Sequence, residues 1–222
     1  MAKKGQKQPE AVEEVQEQLS ASAQWIERNA NIITWVITGI IVVILGFILL
    51  NRYVFEPKSQ EAGSENAKAV IYFDKGDFQT ALNGYNADCI GFAQIADDYK
   101  HYKAGKLAAL YAGICEYKLG EYEEAAEYLK RFDANDRNIS PAAKMLLGDT
   151  YVEMEEYGKA AKAFEAAADS KNEIVAPMAL KKAAFVYQEL GKDKEAQKAF
   201  RQIKDKYPRS NEAQDIDKYI VQ

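Results

Sequence analysis

Few groups in this chain could carry covalent or acid–base chemistry. There is one imidazole, His101, in the run YKHYK, and there are two thiols, Cys89 and Cys115. Adjacent carboxylates occur at Glu123-Glu124 and Glu155-Glu156. An imidazole could act as a general base, a thiolate as a nucleophile, and two carboxylates as an acid and its base. The surroundings point elsewhere. The carboxylate pairs stand at helix starts, where negative charge is favoured by the macrodipole. His101 lies among Tyr99, Tyr102 and lysines near a helix end and reads as a solvated or capping side chain. Each cysteine reads as a small hydrophobe, and a disulfide between them stays open if the domain faces an oxidising compartment. One histidine excludes a site with two imidazole ligands, and two cysteines exclude a four-thiolate zinc site. No G-x-G-x-x-G, P-loop, H-E-x-x-H or C-x-x-C is present. The expectation is a non-enzyme with no catalytic residue, metal, cofactor or small-molecule substrate.

The elements that surround these groups must then supply the function by binding. At 222 residues, 48% of them hydrophobic and 28% charged, the chain has the composition of one that folds. A net charge of -5 and an isoelectric point near 5.2 argue against nucleic acid as the main partner, because phosphate binding needs a basic surface.

Residues 32–50, IITWVITGIIVVILGFILL, carry no charge. As a helix they reach ~28 Å, about the thickness of the hydrocarbon core of a bilayer. Trp25 and Trp35 lie toward one end and Tyr53 and Phe55 toward the other, as interface anchors do. A core helix would be shorter and less uniform. A cleaved signal would have a shorter apolar region ending at small residues, whereas 31 residues precede this run and NRYVFEPK follows it. One uncleaved transmembrane helix is expected. Basic residues flank it almost evenly, four before and three in the 20 residues after. A short tail stays inside easily and a large domain translocates regardless of its charge, so the N-terminus is placed in the cytoplasm and the domain outside. Ahead of the span, Val12, Val15, Leu19, Ala23 and Ile26 form an apolar helical stripe, read as a juxtamembrane helix after a disordered tail over residues 1–8.

Beyond a polar hinge the chain repeats itself. The segments ALYAGICEYKLGEYEEAAEYLKRF, MLLGDTYVEMEEYGKAAKAFEAA and LKKAAFVYQELGKDKEAQKAFRQIKDKYP align with Gly113, Gly148 and Ala184 in register, 35 and 36 residues apart. These small residues let two helices approach closely, and Ala125, Ala160 and Ala196 do the same from the second helix. Leu129, Phe164 and Phe200 fill the core between them. Tyr122 and Tyr157 plug the turns, though Asp193 breaks this in the last unit. Gly120 and Gly191 end first helices in the left-handed conformation, while Glu155 takes that place in the middle unit and strains or tightens its turn. Ser140-Pro141 and Ala176-Pro177 open helices with proline at the first helical position. An earlier unit, AVIYFDKGDFQTAL, has Gly76 in its turn but is followed by an excess around NGYNADCIG, read as a loop interrupting its second helix. At the far end SNEAQDIDKYIVQ has Ser210 as N-cap and Ala213, Ile216, Tyr219 and Ile220 on one face, a capping helix.

A period near 34 with small residues at fixed offsets resembles that of tetratricopeptide repeat proteins. The resemblance implies a short tetratricopeptide-type solenoid, so that with the span read above the expected fold is all-α, one N-terminal transmembrane helix followed by that solenoid. The divisions are 1–31 tail and juxtamembrane helix, 32–50 span, 51–66 linker, 67–105 irregular repeat, 106–209 three repeats and 210–222 cap. It also implies a groove lined by five positions of each first helix. These are Leu107, Leu110, Ile114, Tyr117 and Lys118, then Ala142, Met145, Asp149, Val152 and Glu153, then Met178, Lys181, Phe185, Gln188 and Glu189, with Val70 and Phe73 added by the irregular unit. The basic clamp by which some relatives hold a carboxylate-ended peptide is missing, since Leu110, Ile114, Met145 and Asp149 occupy its places. Such a trough, if open, is an exposed apolar patch that marks a partner site. Alternatively the capping helix or the irregular unit folds over it.

The full order of elements, with the runs GFAQIADDYKHYKAGKLAALYAGICEYKLGEYEEAAEYL and FRQIKDKYPRSNEAQ, resembles the YfgM-like family over residues 20–222. That family is known as the ancillary subunit of the bacterial SecYEG translocon. The resemblance implies an inner-membrane protein with a periplasmic repeat domain. It also implies association with the translocon and with a membrane-anchored periplasmic chaperone of the prolyl-isomerase type. A scaffold of another cell-envelope complex is the alternative.

Overall fold

A computed structural model describes residues 10–86, 88–134, 136–170 and 172–221, with side chains from Trp25 onward. The expected tail over residues 1–8 and the side chains of the stripe from Val12 to Ala23 lie outside the described residues. The chain divides into two compact units, Met1–Pro57 and Lys58–Gln222.

In the first unit one helix, α1, runs Glu10–Leu50 and passes into a π turn, Asn51–Phe55. Its apolar residues from Ile32 to Leu50 have no partner; Trp35 is 77% exposed and Val43 71%. The most apolar stretch has a mean hydropathy of 2.9, long and apolar enough to cross a membrane. A helix meets its backbone hydrogen bonds internally, which is what a hydrocarbon environment demands.

The expected linker over residues 51–66 is helical. The π turn leads into α2, Glu56–Asp74. Two local causes are visible. Lys, Gln, Glu and Ala are good helix formers. Charged pairs also sit one turn apart, Arg52 with Glu56 at 2.9 Å and Lys68 with Glu65 at 2.7 Å. Ala62, Asn66 and Ala69 are buried along one face, so α2 is the first helix of the irregular unit rather than a hinge.

The second unit is a series of helical hairpins. The irregular one pairs α2 with α3 (Phe78–Asn83) and α4 (Phe92–Asp98). The regular ones are α5/α6 (Lys103–Leu119, Tyr122–Arg131), α7/α8 (Ile139–Glu153, Tyr157–Ala168) and α9/α10 (Val175–Glu189, Asp193–Lys206). All four turns are built the same way. The amides of Asp77, Glu121, Glu156 and Lys192 donate to the carbonyls five residues back, at 3.0, 3.0, 2.8 and 2.8 Å. The preceding residues, Gly76, Glu155 and Gly191 at 2.9 Å and Gly120 at 3.3 Å, donate to carbonyls three back. This is the Schellman closure, and its central residue must be left-handed. Gly76, Gly120 and Gly191 have φ of 76°, 89° and 67°, and Glu155 adopts φ 56° despite its side chain.

Between the helices of a pair, small residues receive large ones. A Cβ on Gly113 would stand 2.7 Å from Leu129 Cγ, and one on Gly148 would stand 2.5 Å from the Phe164 ring. Ala184 shares a cluster with Phe200, both fully buried. Ala125, Ala160 and Ala196 are fully buried as well. Cys89 and Cys115 are buried in this packing as free thiols.

Three details differ from the sequence expectation. The interruption of the irregular unit is a β-hairpin, Gly84–Asn86 (β1) antiparallel to Cys89–Ile90 (β2). Its base closes at Gly91, where a Cβ would lie 2.1 Å from the Leu82 carbonyl oxygen. Pro141 and Pro177 are third, not first, in their helices, still in the turn whose amides lack intrahelical partners. Asp136 and Asn172 accept bonds from backbone amides of those first turns. The closing segment Asn211–Tyr219 is a 3₁₀ helix begun by Ser210, whose Oγ accepts from the Ala213 amide at 3.2 Å. Ala213, Ile216 and Tyr219 recur every three residues, the period of that helix.

Two outcomes follow for the full chain in detergent micelles. Glu155→Gly should raise stability by roughly 1 kcal/mol, because it relieves a left-handed side chain. Gly148→Leu should lower it by roughly 1–3 kcal/mol through overpacking against Phe164. Urea unfolding followed by circular dichroism reads both, and an unchanged midpoint for either contradicts the packing described. Burial pushes the Cys115 thiol up to about 12. The unfolded thiol ionises near ~8.5, so its contribution to stability is whole below that pH and is lost as pH climbs toward the folded value. Iodoacetamide at pH 8 should leave Cys115 unmodified in the folded chain and alkylate it in urea; native alkylation contradicts its burial.

Candidate protein-binding face

Of the apolar positions expected to line an open trough, Leu110 is buried, Val70, Phe73, Ile114, Met145, Val152 and Met178 are half-buried, and Phe185 is exposed. Leu110 is buried with Leu129 and Ala143, and Ile114 packs against that cluster together with Leu146 and Leu147. Met145 and Val152 pack on Ala160, Ala161, Phe164, Ala183 and Val186. Val70 and Phe73 belong to the cluster of the irregular unit. The Phe73 ring meets Phe78 at 5.5 Å and Tyr111 at 5.0 Å. Phe185 lies 5.7 Å from Phe200 and 5.3 Å from Tyr219, with 37% of its surface open. The cause is the composition of the second helices. They bring mainly alanine to the interface, so bulky residues of the first helices must fill the space between hairpins. The expected trough is thus partly filled by packing between hairpins, with half-buried apolar edges left along it, and at its end the chain's own terminal segment lies against Phe185.

Beside these half-buried apolar edges stand polar and aromatic groups. Tyr117 stacks edge-on to Tyr122 at 5.6 Å. Burial, with the charges of Glu153 and Asp149 nearby, holds its hydroxyl above the usual phenol range. Asp149 receives Lys182 at 2.7 Å, and Lys181 reaches Asp215 at 3.1 Å. Asp215 also holds Lys218 at 2.6 Å. Hydrogen bonds from Lys218 and Lys181 keep the Asp215 carboxyl below the usual range. Met178 is half-buried and Gln188 exposed. Gln188 borders a shallow cleft of about 1030 Å³ along α10, with Lys194, Gln197, Lys198 and Arg201.

Sequence reasoning brought together Asp149 and Lys181 but missed Lys182, Asp215, Lys218 and Tyr219. A signal existed. Opposite charges recur at the repeat interval, Asp149 with Lys182, Lys181 with Asp215, and Arg131 with Asp97 at 2.8 Å. Asn172 likewise bonds Asn138 and the Arg137 carbonyl at 3.1 and 2.9 Å. These charged pairs tie α6 to α4, α7 to α9, and α9 to the terminal segment. His101 is exposed in the turn before α5. Among the described residues no group of three His, Cys, Asp or Glu side chains could hold a metal ion.

Comparison with known proteins agrees with this architecture. Tetratricopeptide repeat family models match residues 107–138, 141–173 and 179–210. Among solved structures, the crystal structure of MamA is similar, with 22% identity and a TM-score of 0.51, covering 61% of this chain and 72% of that one. At that identity the likeness concerns the fold. No curated protein matches the sequence. The second unit is thus mainly helical and solenoid-like, with tetratricopeptide repeats over residues 107–138, 141–173 and 179–210, an arrangement that indicates a protein-interaction scaffold.

Proposed function

We propose that this chain is a membrane-anchored adaptor for protein–protein contacts, an ancillary factor of the SecYEG secretion translocon that links it to a periplasmic chaperone of the prolyl-isomerase type. In this reading the chain crosses the bacterial inner membrane once, with its N-terminus in the cytoplasm and its repeats in the periplasm. The observation that carries it is the union, in one chain, of an unburied apolar helix with a repeat stack. The helix has the length and composition of a span, and the stack has paired charges and Tyr117 along its first helices. Anchoring holds such a face near emerging chains at a raised effective concentration without any new contact. The resemblance of residues 20–222 to the YfgM-like family supplies the choice of channel and chaperone.

A photo-crosslinking residue at Tyr117, and separately at Gln188, in the full chain in its native membrane should capture a SecYEG subunit or a prolyl-isomerase-type chaperone, identified by mass spectrometry. Protease added after the outer membrane is opened should digest the repeats. Capture of other envelope proteins alone would favour the alternative scaffold, and repeats protected until the inner membrane is lysed would reverse the orientation.

A further inference from the structure

The terminal segment does more than cover apolar surface. It lies in its place the way a bound peptide lies in a receptor. Tyr219 stacks flat on Phe200 at 5.2 Å and meets Phe185 edge-on. Gln197 grips the backbone on both sides of Ile220: its Nε2 donates to the Tyr219 carbonyl at 2.9 Å, and its Oε1 accepts from the Val221 amide at 2.9 Å. Arg201 donates to the Val221 carbonyl at 3.3 Å. Upstream, Lys181 takes Asp215 and Lys204 takes Asp217 at 2.6 Å. A two-point side-chain grip on main chain is a general way to hold an extended segment, and the ring slot and two lysines add selectivity for what precedes it.

The segment is also weakly committed to the fold. It runs nine residues as a 3₁₀ helix, a form that rarely persists beyond three or four because its hydrogen bonds are poor. Ile216 is its one buried side chain, Ala213, Tyr219 and Ile220 are only half-buried on the same cluster, and its other ties are exposed ion pairs and long polar side chains. Few buried apolar contacts and exposed hydrogen bonds are the marks of a region that opens locally.

We infer that the seat formed by Lys181, Phe185, Gln197, Phe200 and Arg201 is a peptide-binding site, occupied in cis by residues 211–221. Its ligand class is an acidic segment carrying a tyrosine four residues after an aspartate and continuing as extended aliphatic chain. The terminal segment is the competitor that a partner of this chemistry must displace. The site adds a defined ligand to a protein-interaction scaffold and does not depend on which channel or chaperone the chain serves.

The test uses the full chain in detergent micelles and a fluorescein-labelled peptide of its own sequence NEAQDIDKYIVQ, read by anisotropy. Ile216→Ala with Tyr219→Ala frees the seat and should bind the peptide at least ten-fold tighter than the unmodified chain. Replacing the peptide's tyrosine by alanine, or adding Lys181→Ala and Gln197→Ala to the chain, should each remove at least ten-fold. A freed chain that keeps its helical spectrum yet binds no better, or binds both peptides alike, overturns the inference. Hydrogen exchange on the unmodified chain guards against a variant that unfolds. The amides of residues 213–221 should exchange at least a hundred-fold faster than those of α8. Exchange of both only through global unfolding would mean that the seat never opens, and would equally overturn it.

Discussion

The closeness of two helices at one small residue governs the rest of this molecule. Gly113 against Leu129, Gly148 against Phe164 and Ala184 in one cluster with Phe200 set how near the helices of each hairpin lie. Burying a phenylalanine against a helix backbone contributes roughly 1.5–3 kcal/mol, and no single hairpin can bury its remaining faces alone. Stacking is therefore obligatory. The Schellman turns that recur at Gly76, Gly120, Glu155 and Gly191 keep the hairpins alike enough to stack.

That packing decides what is left for recognition. Second helices rich in alanine leave a gap that Leu110, Ile114, Met145 and Val152 fill from the first helices. Most of these apolar side chains, Ile114, Met145 and Val152 among them, stay half-buried. The residues still offering chemistry are Tyr117, the pairs Asp149–Lys182 and Lys181–Asp215, and the aromatic seat around Phe185. Charged groups at an interface favour partner selectivity over raw affinity.

Local chemistry made much of this readable from the sequence. The left-handed positions at Gly120 and Gly191, the misfit at Glu155, the core roles of Leu129, Phe164 and Phe200, and Ser210 as a cap all rest on contacts within a few residues or one repeat. Readings that needed the neighbouring hairpin fared differently. Whether Ile114 faces water or Leu146 depends on the size of residues some thirty positions away. The stretch KSQEAGSEN just before Ala67 looks polar, yet Ala62 and Asn66, with Ala69 beyond them, give its helix a buried face. The 3₁₀ form of the last segment was hidden because apolar residues three apart share a face in an α-helix as well as in a 3₁₀ helix.

Bulky residues of the first helices pack between the hairpins and hold the stack together. Hydroxyl-radical footprinting of the full chain in micelles, resolved by residue with mass spectrometry, tests it most directly. Phe73, Ile114 and Met145 should be protected relative to the urea-unfolded chain, while Ile71 and Ile174, which the structure leaves exposed, should label fully. Labelling of Phe73, Ile114 and Met145 at the level of those two isoleucines would restore an open apolar trough and contradict the account.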